Sequence, residues 1–103
     1  MTNFNLKTTS ILPASKNKPK QIIILCHGYG GDGKDISILA INWQRFLPDA
    51  IFLCPDAPEI CNINPQGYQW FDLSPDKDEK ILEKSLVAEE KLNLFLDQVL
   101  DNF

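Results

Sequence analysis

The feature that most constrains the fold is an apolar, β-branched run followed at once by glycines. Residues 21–26 read QIIILC and residues 27–33 read HGYGGDG. A run without alternating polar residues indicates a strand buried on both faces, as in a parallel sheet. Such a strand, with a glycine turn directly after it, predicts a β-α-β unit whose loop lies at the end of the strand.

A helix and a second strand complete this unit. Asp32 or Asp35 is suited to cap a helix over Ile36–Leu47, where apolar residues recur at helical spacing, and Pro48 ends it. Ala50–Cys54, with the sequence AIFLC, predicts a second buried strand. The unit over 21–54 is therefore expected to be a right-handed crossover with parallel strands.

The flanking segments extend the unit. Residues 1–20 predict an edge strand at Thr8–Ala14 and a basic arm. Residues 55–74 form a loop rich in proline, asparagine and aromatics, and a loop of that length is usually functional. Ser74 and Pro75 are typical of a helix start. The amphipathic helix expected over 75–103 has an apolar stripe of Leu82, Leu86, Leu92, Leu96, Val99, Leu100 and Phe103.

Composition excludes several classes of protein. A chain of 103 residues allows one small domain, and its longest apolar run is too short for a membrane span. Residues 1–20 lack a signal-peptide core, which predicts a cytoplasmic protein. The net charge is −4, and the lysines of residues 1–31 have no interleaved aromatics, so we expect a solvated arm and no nucleic-acid partner. Three cysteines with a single histidine predict reduced thiols and no metal site.

Three interpretations of the glycine loop compete. Gly28-x-Gly30-x-x-Gly33, with Asp56 after the next strand, fits a dinucleotide fingerprint. The same loop nearly fits a phosphate-binding P-loop, but Asp35 stands where a hydroxyl should meet magnesium. The third interpretation is a His-Gly-x-Gly oxyanion loop, in which the backbone N–H of Tyr29 would face a developing oxyanion.

Three segments together resemble one family. LCHGYGGDGKD, LPDAIFLCPDAPE and NPQGYQWFDL are similar, in order and spacing, to the amino-terminal half of the phospholipase/carboxylesterase family of α/β-hydrolases. The resemblance runs from about residue 8 to the last residue. It implies an α/β fold with a mostly parallel sheet and flanking helices. It also implies hydrolysis of carboxylic esters or thioesters by a serine nucleophile without metal or cofactor.

The resemblance assigns roles residue by residue. Tyr29 would donate one oxyanion N–H, and the glycines at 28, 30 and 31 (Gly28, Gly30 and Gly31) would turn the loop. Trp70 and Phe71 would stand beside the acyl-binding cleft or, as readily, pack in the core. Asp72 would support that loop, Tyr68 with residues 55–67 would form the rim, and His27 would be a structural histidine bonded to backbone.

The remaining catalytic groups have no counterpart in the sequence. No serine of the sequence stands in a G-x-S-x-G motif, and there is no second histidine to act as the general base. We therefore expect a partial α/β-hydrolase domain over 1–103, lacking the nucleophile-elbow strand and inactive alone. Alternatives are a non-catalytic half that assembles through an exposed strand edge, with a separately encoded carboxy-terminal half or with itself, and a dinucleotide-binding fragment.

Overall fold

The computed structural model describes residues 4–73 and 78–103, so the helix start expected at Ser74 and Pro75 lies outside the described residues. In chain order the elements are β1 (Thr8–Ile11), β2 (Gln21–Ile24), α1 (Gly33–Trp43), β3 (Ala50–Pro55), β4 (Glu59–Ile60), β5 (Tyr68–Gln69) and α2 (Asp78–Asn102).

The main sheet has three strands in the order β1-β3-β2. β2 and β3 are parallel, with Gln21 opposite Ala50, which confirms the expected parallel pairing of these two strands. β1 pairs antiparallel with the other side of β3, with Thr8 opposite Pro55. The described sheet therefore contains one parallel and one antiparallel pair of strands. β1 ends at Ile11 rather than at Ala14 as predicted.

β3 is buried along its whole length and divides the core into two layers. Phe52 packs with Ala40 of α1 on one face of the sheet. Leu53 packs with Phe95 and Val99 of α2 on the other face. Successive strand residues point to opposite faces, so the run AIFLC supplies both layers alternately. Each fully buried large side chain stabilises the fold by about 1.5–3 kcal/mol.

α1 begins three residues before the predicted start at Ile36 and ends at Trp43 rather than Leu47. Asp32 is the N-cap, and its carboxylate accepts the N–H of Asp35 at 2.7 Å. The Asp56 carboxylate accepts the N–H of Gly33 at 2.7 Å. A Cβ on Gly33 would lie 2.0 Å from the carbonyl oxygen of Cys54, so only glycine lets the helix start this close to β3.

The inward face of α2 differs from the predicted leucine stripe. Phe95 and Val99 are fully buried and Ala88 nearly so, whereas Leu82, Leu86 and Leu100 are at least half exposed. Ala88, Phe95 and Val99 are spaced by seven and four residues and therefore share one face. Leu86 precedes Ala88 by two residues and so lies about 200° from it around the helix axis. The predicted stripe is therefore right at Val99 and at Leu92 and Leu96, which pack against the core, and wrong at Leu82, Leu86 and Leu100.

Residues 55–74, predicted as a loop, contain a small ladder. Glu59 lies opposite Gln69, and Ile60 opposite Tyr68, in an antiparallel pair. Strands of two residues carry no usable periodicity, so the sequence could not reveal them. Neither helix, over the residues that the structure describes, is long and apolar enough to cross a membrane.

Candidate active site

The glycine loop after β2 closes as a tight turn. The N–H of Gly31 donates to the carbonyl oxygen of Gly28 at 3.1 Å. Gly30 at the third position has φ of 82°, in the left-handed region that a type II turn requires there. Gly30 is the one glycine of the chain with a positive φ, and all five lie in the described ranges. The turn therefore depends on glycine at position 30 rather than at 28.

The β4–β5 hairpin fixes this turn from outside. The N–H of Gly30 donates to the carbonyl oxygen of Tyr68 at 2.9 Å, and the N–H of Tyr68 donates to that of Gly31 at 2.8 Å. The side-chain amide of Asn64 donates to the carbonyl oxygen of Gly30 at 2.9 Å. A Cβ on Gly67 would lie 2.0 Å from that same oxygen. The hairpin and the turn are therefore in direct backbone contact.

The backbone N–H of Tyr29 has no hydrogen-bond acceptor among the described residues. The N–H groups of both following glycines donate within the chain, but no acceptor in residues 4–73 or 78–103 takes the N–H of Tyr29. A Cβ built on Gly28 would meet nothing within 4 Å, so open space adjoins the peptide that carries this donor. The loop thus presents one unused hydrogen-bond donor beside a space that a ligand could enter.

His27 lies beneath the turn, 5% exposed, and bonds to backbone through both ring nitrogens. Nε2 accepts the N–H of Ala57 at 2.9 Å. Nδ1 lies 2.6 Å from the carbonyl oxygen of Gly28, so it must be the donor of that pair. With both nitrogens engaged, neither is available to take a proton from a nucleophile. Cys26, next to it, is exposed, in keeping with strand neighbours facing opposite ways.

Trp70 connects His27 to the cleft. Its indole N–H donates to the carbonyl oxygen of His27 at 2.9 Å. The two rings stack with centroids 5.5 Å apart. Trp70 also packs against the core cluster that contains Phe95. Trp70 therefore packs against the core, which is one of the two roles considered from the sequence, and it also lines a cleft whose ligand stays a proposal.

Two clefts share the wall formed by Trp70 and Phe71. The first, of about 180 Å³, is lined by Trp70, Phe71, Tyr29 and Leu73, and it is almost wholly apolar. The second, of about 210 Å³, lies toward α2 and includes Glu59 and the half-buried ion pair of Lys84 and Asp72 at 4.0 Å. The first cleft, to which Tyr29 contributes, has the apolar character that an acyl group would require.

Sequence reasoning missed Asn64 and Gly67, both of which hold the turn. Their signal was present in the segment NPQG, which is typical of a tight turn. Here the N–H of Gly67 donates to the carbonyl oxygen of Asn64 at 2.9 Å and closes that turn. What the sequence could not show is that the NPQG turn packs onto a loop more than thirty residues earlier.

The carboxylates around α1 bear on the dinucleotide interpretation. The helix N-terminus that would hold a pyrophosphate instead has its N–H groups taken by Asp56 and Asp32. Two carboxylates at that point repel an anion and occupy the donors it would need. Asp56, which that interpretation assigned to a ribose, is a helix cap. The geometry therefore disfavours a dinucleotide site.

The thiols are not arranged for catalysis or metal binding. Cys54 and Cys61 are buried. Burial raises the pKa of Cys54 to about 11, with a smaller contribution from Cys26. Within the described ranges no three of His, Cys, Asp and Glu lie close enough to hold a metal ion.

The phenol of Tyr29 is also perturbed. Its pKa is raised mainly by desolvation and, to a smaller extent, by a hydrogen bond with Cys61.

Comparison with known proteins agrees with this geometry. The family model described as Phospholipase/Carboxylesterase matches residues 8–102. The crystal structure of esterase PE8 is similar, with a TM-score of 0.84 and 34% sequence identity over 94% of this chain. The matched part is 46% of that esterase chain, so the 103 residues span about half its length.

Proposed function

Because the chain belongs to the phospholipase/carboxylesterase family, we propose that its residues supply half of the oxyanion hole and one wall of the acyl cleft of a serine hydrolase. The substrates would be carboxylic esters or thioesters. The observation that carries the proposal is that Tyr29, whose N–H is accepted by no described residue, also lines the apolar cleft formed with Trp70 and Phe71.

The chemistry asked of Tyr29 is electrostatic. When a serine attacks an acyl carbonyl, the carbonyl oxygen becomes an oxyanion. A fixed backbone N–H stabilises that charge without reorganising. Trp70, held by its bond to the carbonyl oxygen of His27, would keep the acyl group beside this donor. The loss of one such donor typically costs a factor of about 10²–10³ in kcat.

The nucleophile and its base are proposed to come from chain outside these 103 residues. The hydroxyl of Ser37 donates to Lys34 and that of Ser85 to Leu82, each within its own helix. The hydroxyl of Ser15 donates to the carboxylate of Asp49, and both ring nitrogens of His27 are engaged with backbone groups. Triad and oxyanion hole act as a unit. We therefore expect the 103-residue chain alone not to accelerate hydrolysis of a p-nitrophenyl ester above buffer.

The test is a chimera that joins residues 1–103 to the part of the PE8 chain that they do not match. We expect it to hydrolyse p-nitrophenyl acyl esters. Tyr29→Pro removes the N–H while suiting the second position of a type II turn, and it should lower kcat about 10²–10³-fold. Tyr29→Phe keeps the N–H and is expected to lose far less. Equal activity of these two variants would refute the assignment of the donor.

A second role, assembly through a strand edge, has its own supporting observation. β2 is at one end of the described sheet, and Ile22, Ile23 and Ile24 along it are half-buried and apolar. An edge strand of this kind lacks the charges or proline that normally prevent pairing with another chain. The candidate partners are a carboxy-terminal half or a second copy of the chain.

A further inference from the structure

We infer that His27 is a positioning residue that orients the N–H of Tyr29 by holding the carbonyl of the same peptide unit. The inference rests on the proposed function only for what that N–H binds. The N–H of Tyr29 and the carbonyl of Gly28 belong to one planar, trans peptide and point in opposite directions. Whatever fixes the direction of that carbonyl therefore fixes the direction of the donor.

Two groups hold the Gly28 carbonyl. His27 Nδ1 lies 2.6 Å from its oxygen, and the N–H of Gly31 lies 3.1 Å from it. The histidine bond is the shorter of the two and comes from a ring that is buried and stacked on Trp70. Hydrogen bonds to a carbonyl also polarise its peptide, which makes the opposite N–H a better donor. His27 thus acts on the oxyanion site without touching substrate.

The surrounding backbone fixes which tautomer does this. Ala57 presents an N–H to Nε2, so Nε2 must carry a lone pair. Gly28 presents a carbonyl to Nδ1, so Nδ1 must carry the proton. The positioning form is therefore neutral imidazole protonated at Nδ1. Trp70 donates to the backbone carbonyl of His27 and stacks on the imidazole, which limits rotation of the ring.

Two substitutions separate the bond to Gly28 from the bond to Ala57. The amide of His27→Asn falls near the place of Nδ1 and can still donate to Gly28, but it cannot reach Ala57. The amide of His27→Gln falls near the place of Nε2 and can still accept from Ala57, but it cannot donate to Gly28. A merely structural histidine predicts that both variants disturb the loop to the same degree. The positioning role predicts that only the glutamine variant turns the N–H of Tyr29.

The measurement uses the chain as it is, labelled with ¹⁵N-tyrosine, because the sequence has two tyrosines, Tyr29 and Tyr68. In a weakly aligning medium, the residual dipolar coupling of each N–H reports its direction. We expect His27→Gln to change the Tyr29 coupling but not that of Tyr68, and His27→Asn to leave both close to wild type. The reverse order, or equal changes, would overturn the inference.

A second measurement needs no variant and so does not depend on the variants folding. The chain has one histidine, so ¹⁵N couplings to its ring protons report a single imidazole. We expect the pattern of a neutral ring protonated at Nδ1. A ring protonated at Nε2 would refute the mechanism. Neither measurement requires turnover, so an inactive chimera would count against the proposed function and leave this inference to its own test.

Discussion

The turn that follows β2 and the outer edge of β2 itself contrast sharply, although a few residues separate them. In the turn, Gly30 and Gly31 bond to the β4–β5 hairpin through their backbone groups, and His27 and Trp70 hold it from below. At the edge, half-buried isoleucines stand beside backbone that no described strand pairs. One region is complete within this chain, whereas the other has the character of an interface.

The contrast teaches which part of the proposed site these 103 residues can build alone. Contacts around the turn are supplied by residues 27–31 and 57–70, which all lie in this chain. The pairing of β2 on its outer side needs another segment of polypeptide. The proposed oxyanion donor is therefore oriented within these residues, because the geometry of its turn depends on the β4–β5 hairpin and not on a strand paired to the outer side of β2.

The largest expected effect tests whether the turn is complete through contact with the hairpin. The Cβ of Gly67→Ala would lie 2.0 Å from the carbonyl oxygen of Gly30, which is far too close, so one of the two backbone segments must move. We expect a loss of about 3 kcal/mol or more in the free energy of unfolding, measured by urea denaturation, as for other strained core positions. Gly28→Ala is the matched control, since its Cβ would meet nothing within 4 Å.

If both glycine variants unfold at the same urea concentration, contact with the hairpin does not determine the conformation of the turn. The contrast between a turn fixed by this chain and an unpaired β2 edge would then fail. A loss of stability in Gly67→Ala alone would show that the glycine turn is held by a contact with a segment more than thirty residues away in sequence.

A smaller effect concerns the support beneath the turn. Trp70→Phe keeps an aromatic ring but removes the indole N–H that donates to the His27 carbonyl at 2.9 Å. Leaving that carbonyl without its donor, in a partly buried place, costs about 1–3 kcal/mol. Thermal unfolding followed by circular dichroism measures it. Trp43→Phe, at an exposed tryptophan of α1, is the control. A Trp70 variant as stable as the control would show that the indole bond contributes nothing.

These contacts also show what the sequence could predict. Strand β2, strand β3 and their parallel pairing follow from two apolar runs and a glycine turn, which are local signals. α1 begins at Gly33, earlier than predicted, because the carboxylates of Asp32 and Asp56 accept N–H groups of its first turn. Only Asp32 is close to that turn in sequence.

The rest depended on contacts between distant segments. Asn64 and Gly67 act on Gly30 across a turn that closes only in the folded chain. The inward face of α2 was predicted only in part: Phe95 and Ala88 were missed because leucines were weighted above them, and burial is set by which face meets β3. The roles of Phe71 and Asp72 came from the family resemblance, whereas that of Tyr29 followed from the His-Gly-x-Gly pattern as well, and all three stay proposals.

The smallest expected change in stability, and the sharpest test of the contrast, is at the β2 edge. Gln21 and Cys26 are exposed and flank the isoleucines, so replacing both by lysine adds charge beside the edge without entering the core. Surface changes of this kind usually alter the free energy of unfolding by no more than about 0.5 kcal/mol.

We expect the wild-type chain to self-associate with increasing concentration in light scattering, because its apolar edge is open, and the double variant to stay monomeric. Ser10→Lys on β1, a more polar strand at the other end of the sheet, should associate as the wild type does. A wild-type chain that is monomeric at all concentrations would show that the β2 edge closes on its own, and the assembly role would then lose its support.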